Sequence, residues 1–192
     1  MKFHNFFIMI ITAGILSGCG SVPPMNFSVP NVSMSTKKID ADLKSLTVTL
    51  ARPDEKTGAI PPGTEENVPQ LWHTALVEAL NKMAIFQDDA ARKVSLSVKV
   101  LKFQLRVVNL VVVDVDTEAR YQIIDRKTGE IIFTKDISSF GTTPIEYAVS
   151  SLARTTESAN RSVQNNITKF LQVLETTTFE KPTVPAKIGI EK

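Results

Sequence analysis

Residue types that carry most enzymatic chemistry are scarce in this sequence. Beyond the first twenty residues it contains one histidine, His73, and no cysteine. A Ser-His-Asp set would depend on His73, which we expect on the flank of a helix with no nucleophile close in sequence. A zinc site needs several histidine or cysteine ligands. The sequence therefore predicts no catalytic residues, no metal site and no dissociable cofactor.

Two pairs of closely spaced carboxylates are the remaining candidates for chemistry. Asp114 and Asp116 lie two residues apart on a predicted strand and therefore share one face of it. No nearby residue completes a cation shell around them. Asp88 and Asp89 fall in a polar connector, where we expect a solvated loop. A general acid–base pair stays an open alternative for carboxylates of this kind.

The only cysteine, Cys19, follows a leader typical of exported proteins. Lys2 supplies a positive start, and residues 6–16 form an apolar run that is about 16 Å long as a helix and too short to span a bilayer. The leader ends in Leu16, Ser17, Gly18 and Cys19. An aliphatic residue, two small residues and a cysteine in this position resemble the lipobox of bacterial lipoproteins.

The lipobox resemblance implies a signal peptide over residues 1–18, cleavage before Cys19, and a diacylglycerol and palmitate anchor on that cysteine. By the sorting rule of such lipoproteins, Gly20 implies the outer membrane, with the body on the periplasmic side. The alternative is an ordinary secretory signal with a chance cysteine. Because the chain has no second cysteine, no intramolecular disulfide can form.

Charge and composition limit the partners and the organisation of the exported chain. Removing the leader, which contains Lys2 and no acidic residue, leaves 174 residues with 21 basic and 20 acidic side chains. This balance gives no electrostatic basis for binding nucleic acid. The Pro-, Ser- and Asn-rich composition predicts a lipidated flexible tether over residues 19–38. One domain over residues 39–178 and a loosely ordered tail over residues 179–192 follow.

The apolar periodicity predicts the order strand, helix, three strands, helix. Leu152 and Val163 belong to an apolar stripe along the second helix and are predicted to face the sheet. The fold class is α+β: a two-layer sandwich with an about four-stranded, mainly antiparallel sheet and two amphipathic helices on one face. The predicted elements are strands at Ser45 to Ala51, from Val94 onward, up to Asp125 and from Ile131 to Gly141, a helix at Pro69 to Met83, and a helix opened by a capping box at Thr143 to Glu146.

The run from Val107 to Val115 does not alternate between apolar and polar residues. It therefore sends apolar side chains to both faces of a sheet whose helices cover only one face. The tail or the Pro-rich loop after the first strand would cover the other face, or else a protein partner or a second copy of the chain would do so. The predicted partner surface consists of Leu110, Val111, Val112, Val113 and Val115.

A family resemblance rests on four segments: Trp72 to Leu80, Val94 to Leu101, Tyr121 to Gly129, and Ser162 to Leu171. They are similar to segments of small outer-membrane lipoproteins, namely YajG-like proteins and the auxiliary lipoproteins of lipid-transport ABC systems, whose fold resembles the TolB N-terminal domain. The resemblance implies a non-enzymatic binding or accessory module in envelope transport or assembly. The alternative is an envelope enzyme, since some similar chains are labelled UDP-N-acetylglucosamine acyltransferase. That enzyme family is built from hexapeptide repeats, which this sequence lacks.

Overall fold

Six regular elements make up the folded body in a computed structural model that describes residues 22–107 and 112–179. None of the helices in these two ranges is both long and apolar enough to cross a bilayer. The elements are β1 (Asp42–Leu50), α1 (Asn67–Met83), β2 (Lys93–Val107), β3 (Val112–Asp125), β4 (Ile131–Pro144) and α2 (Ser151–Thr176).

The four strands form one sheet in the order β1-β2-β3-β4. β1 lies parallel to β2, whereas β2, β3 and β4 form an antiparallel meander. The parallel pair follows from the connection, because α1 and its loops carry the chain back to the end of the sheet where β1 began. The α+β class and the element order are confirmed, and the sheet is mixed.

Both helices cover the same face of the sheet, as predicted. Residues of β3 alternate strictly between buried and half-buried positions, which is the period of a strand with one face in the core. Tyr121 on β3 contacts both helices: its hydroxyl accepts from Trp72 Nε1 on α1 at 3.3 Å and donates to Asn166 Oδ1 on α2 at 2.9 Å. Phe170 of α2 stacks on the Tyr121 ring with the centroids 4.0 Å apart.

The start of α2 differs from the prediction. β4 continues through Thr143, which pairs with Val113 of β3, and the helix begins only at Ser151 with Ser150 as its N-cap. The predicted capping box is therefore strand, because pairing along β3 outweighs the local helix signal. Val163 is fully buried, as predicted, but the prediction for Leu152 is wrong, because 61% of that residue is exposed.

Small and polar residues let α2 lie close to β3 and β4. Gly141 was expected to end a strand but lies inside β4, where a Cβ would come within 2.2 Å of the Ser158 carbonyl oxygen. Ser158 Oγ lies 2.8 Å from both Thr143 Oγ1 and Val113 O. Together with four further buried residues, Thr143 and Ser158 form a hydrogen-bonded contact between α2 and the sheet. We call this contact the polar seam: Thr117, Ser139, Thr143, Ser158, Ser162 and Asn166.

The expectation of a flexible tether over residues 19–38 is wrong for residues 24–38. Together with Ile39, which was expected in the domain, they form what we call the N-terminal strap, residues 24–39. Phe27 is 1% exposed and packs edge-on against Trp72 of α1. Asn26 N donates to Asn160 Oδ1 of α2 at 2.8 Å, and Ser35 N donates to Met83 O at the end of α1 at 2.8 Å. The strap is ordered because it buries apolar side chains and bonds both helices. The predicted signal peptide and the tail from residue 180 onward lie outside the described residues.

Candidate functional site

A cavity with walls from several elements lies at one end of the sheet, which we call the basal end. Its volume is about 1040 Å³. The walls come from segments far apart in sequence, and they meet at the basal end because β2 begins there while β3 and α2 end there. These segments are the strap and its continuation at residues 37–41, Phe86, residues 91–93, Ile123, residues 125–128, Ile132, and residues 178–179.

The floor of the basal cavity is apolar. Ile123, the last core-facing isoleucine of β3, is 1% exposed, and Phe86 is fixed by a parallel bridge to Ile39 of the strap. Phe179 follows α2 and reaches Phe133 on β4, with ring centroids 5.9 Å apart. Ile123 is closed off at the base, whereas Phe86, Ile132 and Phe179 are only partly buried. A partly open apolar floor is the property expected of a site for a hydrocarbon or an aromatic group.

Two of the basic residues at the cavity rim are neutralised by carboxylates. Arg92 Nε binds Asp125 Oδ2 at 2.8 Å, and Lys93 Nζ binds Asp42 Oδ2 at 2.8 Å. The Arg92 guanidinium, together with backbone N–H groups of the following turn, holds the pKa of Asp125 below its usual range. Both ion pairs set the shape of the rim rather than its net charge.

Two further lysines of the rim donate hydrogen bonds to carbonyl groups at the C-terminal ends of the helices. Lys37 Nζ donates to the carbonyl oxygens of Leu174 at 3.2 Å and Glu175 at 3.1 Å, and also to that of Thr177. Lys38 Nζ donates to the carbonyl oxygen of Ala84, just after α1. Cations are favourable at helix C-termini, where carbonyl groups lack partners. The two lysines therefore stabilise the basal end and add positive charge to the cavity wall.

Arg126 and Lys127 supply the remaining rim cations, on the turn between β3 and β4. Within residues 22–107 and 112–179, neither side chain has a hydrogen-bond or ion-pair partner. Of the charged residues that line the cavity, six are basic and two are acidic. An apolar floor beneath a positive rim matches a molecule with a hydrocarbon part and an anionic group.

The predicted lipidation site and lipobox, Cys19 with Leu16, Ser17 and Gly18, lie outside the described residues, and so do Leu110 and Val111 of the predicted partner surface. Val112 is half-buried.

The partner-surface prediction is corrected for Val113 and Val115, which are 4% and 1% exposed. Both belong to the core, because β3 alternates through this region. The opposite face of β3 carries Asp114 and Asp116 here.

Of the two carboxylate pairs, Asp114 and Asp116 take part in ion pairs and hydrogen bonds within the fold, and Asp88 and Asp89 lie in the loop before β2. Asp116 binds Arg106 Nε at 3.0 Å and Lys102 Nζ at 3.2 Å, and Asp114 accepts from Thr142 Oγ1 at 2.8 Å. In the described ranges, no group of three histidine, cysteine or acidic residues is arranged to hold a metal ion.

His73 is half-buried on α1, and it is not among the residues that line the basal cavity.

Sequence reasoning missed the basal cavity because its residues come from separate segments with no common motif. One signal was available for the rim: Arg126 and Lys127 are adjacent cations in the short segment between Asp125 and Gly129. Two adjacent cations in a turn are usually solvated, so this pair by itself does not indicate a site. Only the folded chain brings that turn next to Phe179.

Comparisons with known proteins identify the fold. No protein-family model matches the chain, and no curated protein matches it by sequence. A Xanthomonas campestris protein described as DUF330 has a TM-score of 0.51 at 10% identity, with 78% of this chain and 90% of that chain covered. This likeness shows a shared fold.

Two further solved structures are more distant. A minor lipoprotein from Acinetobacter baumannii has a TM-score of 0.40 at 15% identity, with 70% of this chain and 92% of that chain covered. The PelC dodecamer protein from Paraburkholderia phytofirmans has a TM-score of 0.38 at 12% identity, with 83% and 94% covered.

Proposed function

We propose that this protein is a non-enzymatic lipoprotein, anchored through Cys19 on the periplasmic side of the outer membrane, that binds an anionic amphiphile in the basal cavity. It would act as an accessory module in envelope transport or assembly. The observation that supports this function is the apolar cavity of about 1040 Å³ beneath a rim with the unpartnered cations Arg126 and Lys127. The sequence of the leader supports the anchor.

The hydrocarbon part of the ligand supplies most of the affinity. Each buried methylene contributes about 0.8 kcal/mol, so ten methylenes on the floor give about 8 kcal/mol before the costs of association are subtracted. Exposed ion pairs are worth about 1 kcal/mol or less. Arg126 and Lys127 therefore select the headgroup, whereas Phe86, Ile123 and Phe179 hold the chain.

A photoactivatable lyso-phosphatidylglycerol, with the reactive group in its acyl chain, tests the site on the purified full-length protein. We expect crosslinks at cavity-lining residues such as Phe86 and Phe179. Changing both Arg126 and Lys127 to glutamine should reduce labelling several-fold. The same change should leave labelling by a neutral lyso-phosphatidylcholine probe unaltered. Lys56→Gln is the matched control, since Lys56 is exposed on the loop after β1. Crosslinks elsewhere on the protein, or equal loss with Lys56→Gln, would refute the ligand.

The anchor has a separate test in cells. Cys19→Ser should abolish lipid labelling and release the protein from the membrane fraction, because the thiol is the only attachment point for the lipid. A protein that remains labelled and membrane-bound after this change would contradict the proposed anchor.

The acyltransferase alternative has no comparable support. Its chemistry would need a reactive histidine beside a substrate cavity. His73 lies along α1 and does not line the basal cavity.

A further inference from the structure

We infer that the end of the domain opposite the basal cavity rests on the lipid bilayer through an apolar loop between β4 and α2. Four large side chains of this loop and the first turn of α2 are exposed, and we call them the apolar tip: Ile145 at 38%, Tyr147 at 44%, Val149 at 90% and Leu152 at 61%. The inference rests on the proposed lipid anchor and adds an orientation to it.

The loop is held so that its apolar side chains point outward. Arg154 is buried, and its Nη1 donates to the carbonyl oxygens of Ala148 at 2.8 Å and Val149 at 3.0 Å. Ser150 Oγ accepts from Ala153 N and caps α2. These bonds fix the backbone on both sides of Val149. Its exposure is therefore a property of an ordered turn, not of a side chain free to fold back into the core.

The composition of the apolar tip fits a membrane interface. Aliphatic side chains enter the region of the acyl chains, and tyrosine is enriched at the level of the headgroups. The Arg161 guanidinium, which pairs with Glu157 at 2.7 Å, lies 5.6 Å from the centre of the Tyr147 ring and holds that ring beside the loop. Glu146 is the only acidic residue between Pro144 and Leu152.

The direction of the strap selects the bilayer rather than a protein partner. From Lys37, at the C-terminal end of α2, the strap leads to Pro24, whose carbonyl oxygen accepts from Asn160 Nδ2 at 3.1 Å. Asn160 lies about 14 Å along the helix from Ser151. Cys19 is five residues before Pro24 and can reach at most about 17 Å from it. The anchored residue is therefore within reach of the end that carries the apolar tip.

An introduced cysteine tests the orientation in the lipidated full-length protein. The Cys19 thiol is consumed by the lipid, so Val149→Cys provides the only reactive thiol for an environment-sensitive fluorophore. Ile131→Cys, at the basal end and also exposed, is the matched control. The proteins are reconstituted in phosphatidylethanolamine and phosphatidylglycerol vesicles that contain lipids brominated in the acyl chain.

We expect the label at position 149 to shift to the blue and to be quenched by the brominated lipid, while the label at position 131 stays aqueous. Adding Leu152→Asp should remove most of the quenching. An aqueous label at position 149 would overturn the inference. A label that is shielded without lipid quenching, in a protein that crosslinks to itself, would overturn it in favour of a dimer. The mass of the purified protein reports lipidation independently, so failure of the anchor is distinguished from failure of the orientation.

Discussion

Gly141→Ala should disrupt the contact between α2 and the sheet. The added Cβ would lie 2.2 Å from Ser158 O and 2.4 Å from Ser162 N, which are backbone atoms of the helix. The helix would have to move by about 1 Å to restore ordinary van der Waals separation. That movement would stretch the 2.8 Å contacts of Ser158 Oγ with Thr143 and Val113 beyond hydrogen-bonding range.

The expected cost combines overpacking with the loss of buried hydrogen bonds. Overpacking costs about 1–3 kcal/mol, and each buried hydrogen bond lost adds roughly 1 kcal/mol. We therefore expect Gly141→Ala to lower the free energy of unfolding by about 3–5 kcal/mol. Urea denaturation followed by the fluorescence of Trp72, the only tryptophan and fully buried, measures this change.

Gly58→Ala provides the matched control. Its Cβ would meet the Cγ and Cδ atoms of Lys102 at 2.7 and 2.8 Å, and that flexible side chain can move into solvent. We expect a loss below about 1 kcal/mol. If Gly141→Ala destabilises the protein no more than Gly58→Ala does, the close approach of α2 to β4 is wrong.

Three further outcomes follow from the structure. Val163→Ala should lower the free energy of unfolding by roughly 1–3 kcal/mol because it leaves a cavity, whereas Leu152→Ala should change it by less than about 0.5 kcal/mol; equal losses in urea denaturation would contradict their different burial. Asp42 Oδ2 lies 2.7 Å from Lys44 Nζ and 2.8 Å from Lys93 Nζ, and these two lysines, Lys44 first, lower the pKa of the carboxyl from an ordinary 3.8 to about 2. The stability that this carboxylate contributes is therefore complete above pH 3.8 and lost as the pH falls toward 2; Asp42→Asn should flatten the acid unfolding curve in that window, and an unchanged curve would argue against these two ion pairs. His73→Ala should retain the function in a complementation assay, and loss of function in a folded, abundant variant would revive an enzymatic role.

The core elements were predictable because their patterns are long and regular. The alternation from Val94 onward and the stripe from Trp72 to Met83 on α1 each extend over several residues, and burial follows both patterns. Val163 also matched, since it lies in the middle of a long helix. Predictions of this kind depend on local periodicity, which the tertiary structure here reinforces.

The predicted element boundaries were wrong where a long-range contact outweighed a local sequence signal. Thr143 and Pro144 match a helix start, but β3 pairs with β4 as far as Pro144. Ser158, Ser162 and Asn166 recur every four residues, and this spacing was the available signal for the polar seam. Because serine and asparagine are usually exposed, the pattern favoured a solvent-facing stripe. Their partners lie on strands distant in sequence.

The prediction of a flexible tether was wrong for a different reason. Its average composition is that of a disordered linker, and disorder is predicted from the average composition of a segment. A few anchors decide its state: Phe27, Val29 and Ile39 are each less than 10% exposed. Whether such residues find a cleft depends on the separation of α1 and α2, which no local pattern of the strap encodes. The basal cavity, assembled from separate segments, was unpredictable on the same ground.

The N-terminal strap also determines how the domain would carry mechanical load. A pull on the chain before Pro24, directed toward the start of α2, acts along the length of the strap. Its bonds to Asn160, Glu78 and Met83 are then strained together in shear and are not opened one after another from the end. Resistance to such a force is set by the rate of unfolding. A membrane that moves relative to its surroundings would therefore move the domain as one folded unit, and the domain would unfold only at higher force.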